Sequence, residues 1–406
     1  MKMIALKNIR RWRRALTIVA ATVGLAVSAP HAHAAPCAGI PNAIYVTGST
    51  AAKPLLAELG RVLVGQDPPV TIIYQGQGSC SGVDAILNGT PVRGVGTPGT
   101  LSFWDRGGVE RMCQAPDDGL VADIGLSDVF ASTCFSLPLG LPGNMADYLG
   151  PVNTMTFVVP RSSAEKSISA EAAYYIYGFG NDSGVDPWTD EKAIFRRDNS
   201  SGTQRMIGGA IGVDAQRWKG TATTSSTDMI TQLNNAATAS RAIGILSTDV
   251  AQENRSTLRI LAYQHYGQTC GFFPDRDASS NEKINVRDGH YAIWGPLHML
   301  TRLDGSGVPM KSLAADLIGY LTGSKAPPPG LDMIQLSAQQ HVVPPCAMRV
   351  RRVRELGPLA SVAPVGSCGC YYEKMANGAT TCAPCTAAAD CPASAPACNF
   401  GYCETQ

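Results

Sequence analysis

The run Arg197-Asp198-Asn199-Ser200-Ser201-Gly202-Thr203 collects a cation, small hydroxyls and a glycine. It lies just after the apolar Ala193-Ile194-Phe195 and just before a stretch that reads as a helix. Backbone N–H groups at a helix start lack partners inside the helix and carry partial positive charge, so they attract anions. Arg197 adds a full charge and a planar fork of donors. The combination makes a socket for a tetrahedral oxyanion. Ser-Ser-Gly-Thr also serves as ordinary turn and N-cap chemistry, so the run alone does not decide between the two.

Three further segments carry the same chemistry. Ala43-Ile44-Tyr45-Val46 has the character of a buried strand and runs into Gly48-Ser49-Thr50-Ala51-Ala52-Lys53-Pro54, after which Leu55, Leu56, Leu59 and Val62 follow helical spacing. Val70–Tyr74 is strand-like and leads into Gln75-Gly76-Gln77-Gly78-Ser79-Cys80-Ser81-Gly82, then Val83, Ile86 and Leu87. Ala122-Asp123-Ile124-Gly125-Leu126 is a short apolar strand that ends in Ser127-Asp128. Each could be a plain strand-to-helix turn. Four of them, sharing one arginine and one terminal aspartate, point to a common anion site.

These four segments, in this order, resemble the periplasmic phosphate-binding proteins, the receptor subunits of bacterial phosphate ABC importers. The resemblance rests on Gly-Ser-Thr…Pro at 48–54, Tyr-Gln-Gly-x-Gly-Ser-x-x-Gly-Val at 74–83, Asp-x-Gly-x-Ser-Asp at 123–128 and Arg-x-x-x-Ser-Gly-Thr at 197–203. With its framework it covers roughly residues 40–345. It implies that Thr50 donates its hydroxyl and Ala51 its backbone N–H, and that Ser79 donates at the start of the second helix. Asp128 would accept a proton from the ligand and Arg197 would supply the charge pair. Ser201, Gly202 and Thr203 would close the shell. Arg196 stands beside Arg197, and the spacing to Ser201 favours Arg197. The loop reads Asn-Ser where many members read Asp-Gly before Ser-Gly-Thr.

Phosphate carries at least one proton at neutral pH and sulfate carries none. A pocket of donors with a single carboxylate acceptor pairs every group of phosphate but sets Asp128 against a bare sulfate oxygen. That unpaired contact is heavily penalised when buried. Polar sites of this kind discriminate by about 10⁴ or more. The expected function is therefore inorganic phosphate binding as the extracytoplasmic receptor of an ABC importer, acting with its permease, as a monomer, without cofactor or metal and without catalysis. The alternatives are a secreted phosphate-ester hydrolase on the same lobes, or an envelope-associated scaffold. No Gly-x-Ser-x-Gly elbow or His-Glu-x-x-His occurs to support hydrolysis.

Residues 1–14 hold six Lys/Arg and no acid, Ala15–Val27 is a short apolar run, and Ala32-His33-Ala34 offers a small-x-small cleavage pattern. The expectation is a signal peptide over residues 1–34 and a periplasmic, extracellular or surface location. Removing six cations takes the formal charge from +1 to about −5, which disfavours a nucleic-acid binder. Thirteen cysteines in an exported chain read as disulfides before zinc. Seven crowd the last forty residues; with Cys346 they could form four bridges, and the other five include at least one unpaired thiol. Cys382-Ala-Pro-Cys385, without a matching second pair, reads as structural.

Alternating strand-like and helical stretches predict an α/β fold with largely parallel sheets. The resemblance refines this to a two-lobe periplasmic-binding-protein fold of type II with an interlobe cleft, followed by a small disulfide-rich C-terminal tail. Residues 37–345 would form the body, with lobe one at about 37–152 and 292–345 and lobe two at 153–291. Thr154–Val159 and Tyr291–Trp294 would be the crossover strands. Residues 346–367 read as a linker and 368–406 as the Cys-rich tail, whose surface partner is unknown. Arg349, Arg351, Arg352 and Arg354 read as a solvated helix face. His290 and His298 could pair on a metal, though packed imidazoles are the simpler reading. Tyr174, Tyr175, Tyr177 and Phe179 read as core or surface aromatics.

Overall fold

The computed structural model describes residues 34–405, so the leader expected at 1–34 falls outside the described residues except for Ala34. Strands β1 (Ala43–Gly48), β2 (Thr71–Gly76), β3 (Thr100–Trp104), β4 (Glu110–Gln114) and β5 (Ile124–Ser127) come first. They are followed by β6 (Met145–Pro160), β7 (Gly244–Ser247), β8 (Leu258–Ile260) and β9 (Trp294–Arg302). All nine share one sheet in the order β7-β6-β9-β5-β1-β2-β3-β4, with β8 also pairing β6.

The sheet is mixed, which corrects the expectation of largely parallel pairing. Only β1 with β2 and β1 with β5 run parallel in it; its other pairings are antiparallel. Two strand types cause this. The β3–β4 pair is a hairpin whose tip is tied by Asp105 Oδ1, which accepts from the N–H groups of Gly107 and Val109 at 2.9 and 3.0 Å. The long β6 and β9 run against each other and link the two lobes. β6 pairs with β9 over its first part and with β7 and β8 over its last. β9 starts at Trp294, later than the Tyr291–Trp294 spacing predicts. Before that point the chain meets β6 through single bonds: Met155 N–H to Ile293 O at 3.0 Å and the Tyr291 hydroxyl to Met155 O at 2.8 Å.

In the first lobe, α1 (Lys53–Leu63) and α2 (Ser79–Leu87) cover β1, β2 and β5. Leu55, Leu56 and Leu59 keep the i, i+1, i+4 spacing of one helix face and bury it against Ile72 and Trp104. In the second, α3 (Gly202–Ile211) and α4 (Thr248–Glu253) lie on β6 and β7. Met206, Ile207, Phe157 and Ile245 are among the fully buried residues there. Each such side chain contributes about 1.5–3 kcal/mol. The ring cluster Tyr174, Tyr175 and Phe179 sits at the surface of this lobe, while Tyr177 is buried against Trp218.

Glycines bring α2 onto the sheet. A side chain at Gly82 would lie 2.9 Å from Gly48 Cα and 2.4 Å from the Leu126 carbonyl, so only bare backbone fits. That close approach carries Ser79, at the head of α2, to the end of β5.

The chain after Pro345 is bound to both lobes. The expected solvated helix face at 349–354 is not a helix. Val350–Arg351 pairs with Ala360–Ser361, and Arg352 is buried with its guanidinium 3.9 Å over the Trp294 ring. The flanking apolar surface and the indole face outweigh exposure for this one arginine. Glu355 Oε2 accepts from the Phe130 N–H at 3.3 Å in lobe one, and Leu356 packs on Gly209 of α3 in lobe two. α5 (Met333–Gln339) precedes this stretch and packs against α6 (Gly369–Asn377), which follows it. Arg287 reaches Glu373 of α6 at 3.0 Å, and the Tyr371 hydroxyl donates to Asp332 Oδ2 at 2.7 Å.

Six disulfides are formed. Cys346–Cys368, Cys370–Cys382, Cys385–Cys398 and Cys391–Cys403 are the four bridges expected of the C-terminal set. Cys37–Cys113 and Cys80–Cys134 close the body, and Cys270 is the unpaired, exposed thiol.

Candidate functional site

Asp128 lies at the C-terminal end of β5, where ligands of open α/β sheets collect. It is buried, and the loops around it converge on one carboxylate oxygen. Oδ2 accepts from the Ser49 hydroxyl at 2.5 Å and from the Ser79 hydroxyl at 3.0 Å. The Ser79 oxygen in turn accepts from the Asp128 N–H at 3.0 Å. Tyr74 supports the arrangement from below, its hydroxyl donating to Ser49 O at 2.5 Å. The Cys80–Cys134 bridge ties the head of α2 to the turn that follows Asp128. Thr50 and Ala51 form the helical turn directly after Ser49.

The arginine loop arrives from the other lobe. Its Ser200 carbonyl accepts from the Cys80 N–H at 3.3 Å, and its hydroxyl donates to Gln77 O at 3.1 Å. Arg205 reaches back to the Thr133 carbonyl at 2.9 Å. Ser201 caps α3, its hydroxyl accepting from the Gln204 N–H at 3.4 Å. A β-carbon on Gly202 would lie 2.2 Å from Ser79 Oγ and 3.0 Å from Asp128 Oδ2. The lobes therefore meet face to face at Ser79, Asp128 and Gly202. Gly202→Ala is expected to destabilise this closed arrangement by about 1–3 kcal/mol through overpacking. A thermal melt reads the loss, and an unchanged melting temperature would count against the close fit.

Arg197 is 3% exposed. Its guanidinium makes one long hydrogen bond, to Ser226 Oγ at 3.4 Å, and one loose ion pair, with Asp198 Oδ2 at 3.8 Å. Burial pushes its guanidinium below the usual value, against the pull of Asp198, Asp128 and Asp228. Arg196 differs. It spends its donors on main-chain carbonyls, Gly220 O at 3.2 Å and Arg197 O at 3.1 Å. Thr203, the second residue of α3, turns its hydroxyl to Met155 Sδ at 3.3 Å.

Burial raises the Asp128 carboxyl above its ordinary value, while Ser49, Ser79, Asn153 and His298 favour its charged form. Asn153 is near the carboxylate but makes no hydrogen bond of ordinary geometry to it, so Asp128 Oδ1, like Arg197 Nε, is buried and without a hydrogen-bond partner among the described residues. A buried polar atom left unpaired costs about 1–3 kcal/mol. An acceptor and a charged donor, concentrated where two lobes meet, can hold a small protonated anion.

The structure thus brings Ser79, Asp128 and Gly202 into contact, with Ser201 next to Gly202 at the head of α3, Thr50 and Ala51 directly after Ser49, and Arg197 near enough for the Asp128 charge to bear on it. Sequence reasoning missed Ser49, although it lies in the Gly48–Pro54 segment, and Asn153, which no local pattern marks. It also missed Ser247, Thr248 and Asp249, all buried with an unpaired oxygen each. Their signal was present: Gly244–Ser247 is an apolar strand closed by Ser-Thr-Asp, like the one that ends at Asp128. The two histidines are packed rather than paired. His298 bonds Asp147 Oδ2 through Nδ1 at 2.6 Å and lies edge-on to Phe130, and His290 stacks on Phe272. Among the described residues no helix is long and apolar enough to cross a membrane.

No curated protein matches the chain. Among solved structures, it is similar to one from Clostridium perfringens described as a phosphate ABC transporter substrate-binding protein with bound phosphate. That likeness has a TM-score of 0.50 at 14% identity and covers 75% of this chain and 99% of that one. An ABC-type phosphate transport receptor from Vibrio cholerae aligns with a TM-score of 0.47 at 16% identity, covering 74% of this chain and 100% of the other. At such identities the likeness concerns the fold. The family model described as the PBP superfamily domain matches residues 35–325, and with a two-lobe mixed sheet and a cleft between the lobes this chain belongs to the PBP superfamily.

Proposed function

We propose that the cleft binds inorganic phosphate and that the protein is the exported receptor of a phosphate ABC importer. The observation that carries the reading is the pair Asp128 and Arg197, both buried, each with an unpaired polar atom, on facing lobes. Arg197 would neutralise the anion, and the helix start at Ser201–Thr203 would donate N–H groups to it. Asp128 Oδ1 would accept the proton that phosphate carries. Ser79 plays a different part from the one the resemblance implies. With its proton on Asp128 Oδ2, it orients the carboxylate, and Thr50 and Ala51 are left as the donors from that side. The Clostridium perfringens structure named above is described as a phosphate ABC transporter substrate-binding protein, which supports the importer reading, and the permease follows from the sequence resemblance. The Cys-rich tail would add stability to the body, and any partner it has at the cell surface would be additional.

Equilibrium titration with phosphate, sulfate and arsenate tests the reading. Wild-type protein is expected to take phosphate and reject sulfate by about 10⁴ or more. Asp128→Asn is expected to narrow that ratio by at least about tenfold, because an amide can donate to a bare oxygen. Sulfate rejection that is unchanged in the variant would remove Asp128 from the role. Absence of phosphate binding in the wild type would remove the function.

A further inference from the structure

Asp249 is a second buried carboxyl. β7 ends at Ser247 and passes directly into α4, so Ser247, Thr248 and Asp249 stand together at a strand end. The phase of β7 fixes which way Ser247 faces. Gly244 packs against Met229 and Leu233 of the helix Ser226–Asn234. Ser247, three residues on, has the opposite phase. Its antiparallel partner is Met155, the residue whose sulfur receives the Thr203 hydroxyl. Directly opposed residues share a face, so Ser247 lies on the side that carries the start of α3.

The three side chains are 2%, 0% and 3% exposed. Ser247 Oγ, Thr248 Oγ1 and Asp249 Oδ1 meet no hydrogen-bond partner among the described residues. Burial raises the Asp249 carboxyl to about 6. The negative charges of Asp128 and of Glu253, on its own helix, add to that rise; the Val250 N–H opposes it, as does the Ser247 hydroxyl, which is near the carboxyl without a hydrogen bond of ordinary geometry to it. Capping α4 would account for one carboxylate oxygen but not for the unpaired one beside two unpaired hydroxyls.

We propose that Asp249, flanked by Ser247 and Thr248, is a second proton-accepting group of the anion site, so that the cleft holds the doubly protonated phosphate monoanion. The inference rests on the phosphate reading above. Two carboxylates each need one P–O–H to accept. The singly protonated dianion offers only one, so binding it requires a proton to be taken up, either on the ligand or on Asp249. Both routes end with the same number of protons in the closed cleft.

Calorimetric titration of phosphate into the exported chain from pH 6 to pH 8.5, in two buffers of different ionisation heat, tests this. The wild type is expected to take up close to one proton on the alkaline side, with affinity falling about tenfold per pH unit there. Asp249→Asn is expected to bind at least tenfold more weakly at pH 6.5 and to lose most of that slope and proton uptake. A purely structural role for Asp249 would move the melting temperature and leave slope and uptake intact. Wild-type binding without proton uptake, or an unchanged pH profile in Asp249→Asn, overturns the inference while phosphate binding stands. Wild-type protein that takes no phosphate at any pH overturns both. The proton-uptake measurement needs no variant, so a poorly folding Asp249→Asn does not blunt the test.

Discussion

Arg197→Ala is expected to weaken phosphate binding by about a hundredfold or more, a loss of roughly 3 kcal/mol of the kind seen when one member of a buried charge pair is truncated. The guanidinium is buried, and no carboxylate bonds it closely: Asp198 stands 3.8 Å away. Its charge is therefore available to an anion. Folding should survive the change. Burial already works against the Arg197 charge, and the one side-chain hydrogen bond lost is the long one to Ser226. Arg197→Lys should recover part of the affinity through charge alone, without the planar fork. Calorimetry on the three proteins, beside thermal melts, reads both effects. Wild-type affinity in Arg197→Ala would shift the role to Arg196, whose donors are turned to the Gly220 and Arg197 carbonyls.

Glu373→Ala is expected to destabilise the protein by about 3–5 kcal/mol, the usual consequence of leaving a buried charge without its partner. Arg287 is fully buried, and its Nη1 lies 3.0 Å from Glu373 Oε1 while Nε donates to the Ala347 carbonyl at 3.0 Å. The Tyr372 ring, 5.6 Å from the guanidinium, completes its surroundings. Glu373→Gln should cost less, since its amide oxygen can still accept from Nη1. Urea unfolding followed by tyrosine and tryptophan fluorescence gives the midpoints. An unchanged midpoint in Glu373→Ala would mean that the C-terminal region is not braced on the body through this pair. Phosphate affinity of the folded variant should stay near wild type, because the pair lies outside the set of residues that meet at Asp128.

The two effects concern different parts of the chain. On the proposed reading the arginine contributes to binding and adds little to stability. The bridged C-terminal region is joined to the body by Arg287–Glu373, Tyr371–Asp332 and Cys346–Cys368. The Glu355 and Leu356 contacts add a strap that touches both lobes. Any opening of the cleft that moves Phe130 away from α3 must break one of these contacts.

By itself the sequence determined the fold class and four of the cleft segments, because strand-end turns are local. A short apolar run, a glycine and a hydroxyl suffice to place Ser79, Asp128 and Ser201 at strand or helix ends, whatever surrounds them. It also determined that the terminal cysteines would form bridges, since eight of them lie close along the chain. The tertiary structure decided what long-range pairing controls. Strand direction in the sheet depends on β6 and β9, whose partners lie far away in sequence. Ser49 joins Asp128 because β1 lies beside β5 in parallel register, Ser79 because glycines let α2 settle on the sheet, and Asn153 because β6 crosses between the lobes. Arg352, charged and in a basic run, is buried because Trp294 offers it a face, and nothing near residue 352 foretells that. Asp249 is the same case: a helix-start acid in the chain, and a buried carboxyl with an unpaired oxygen once β7 lies beside β6.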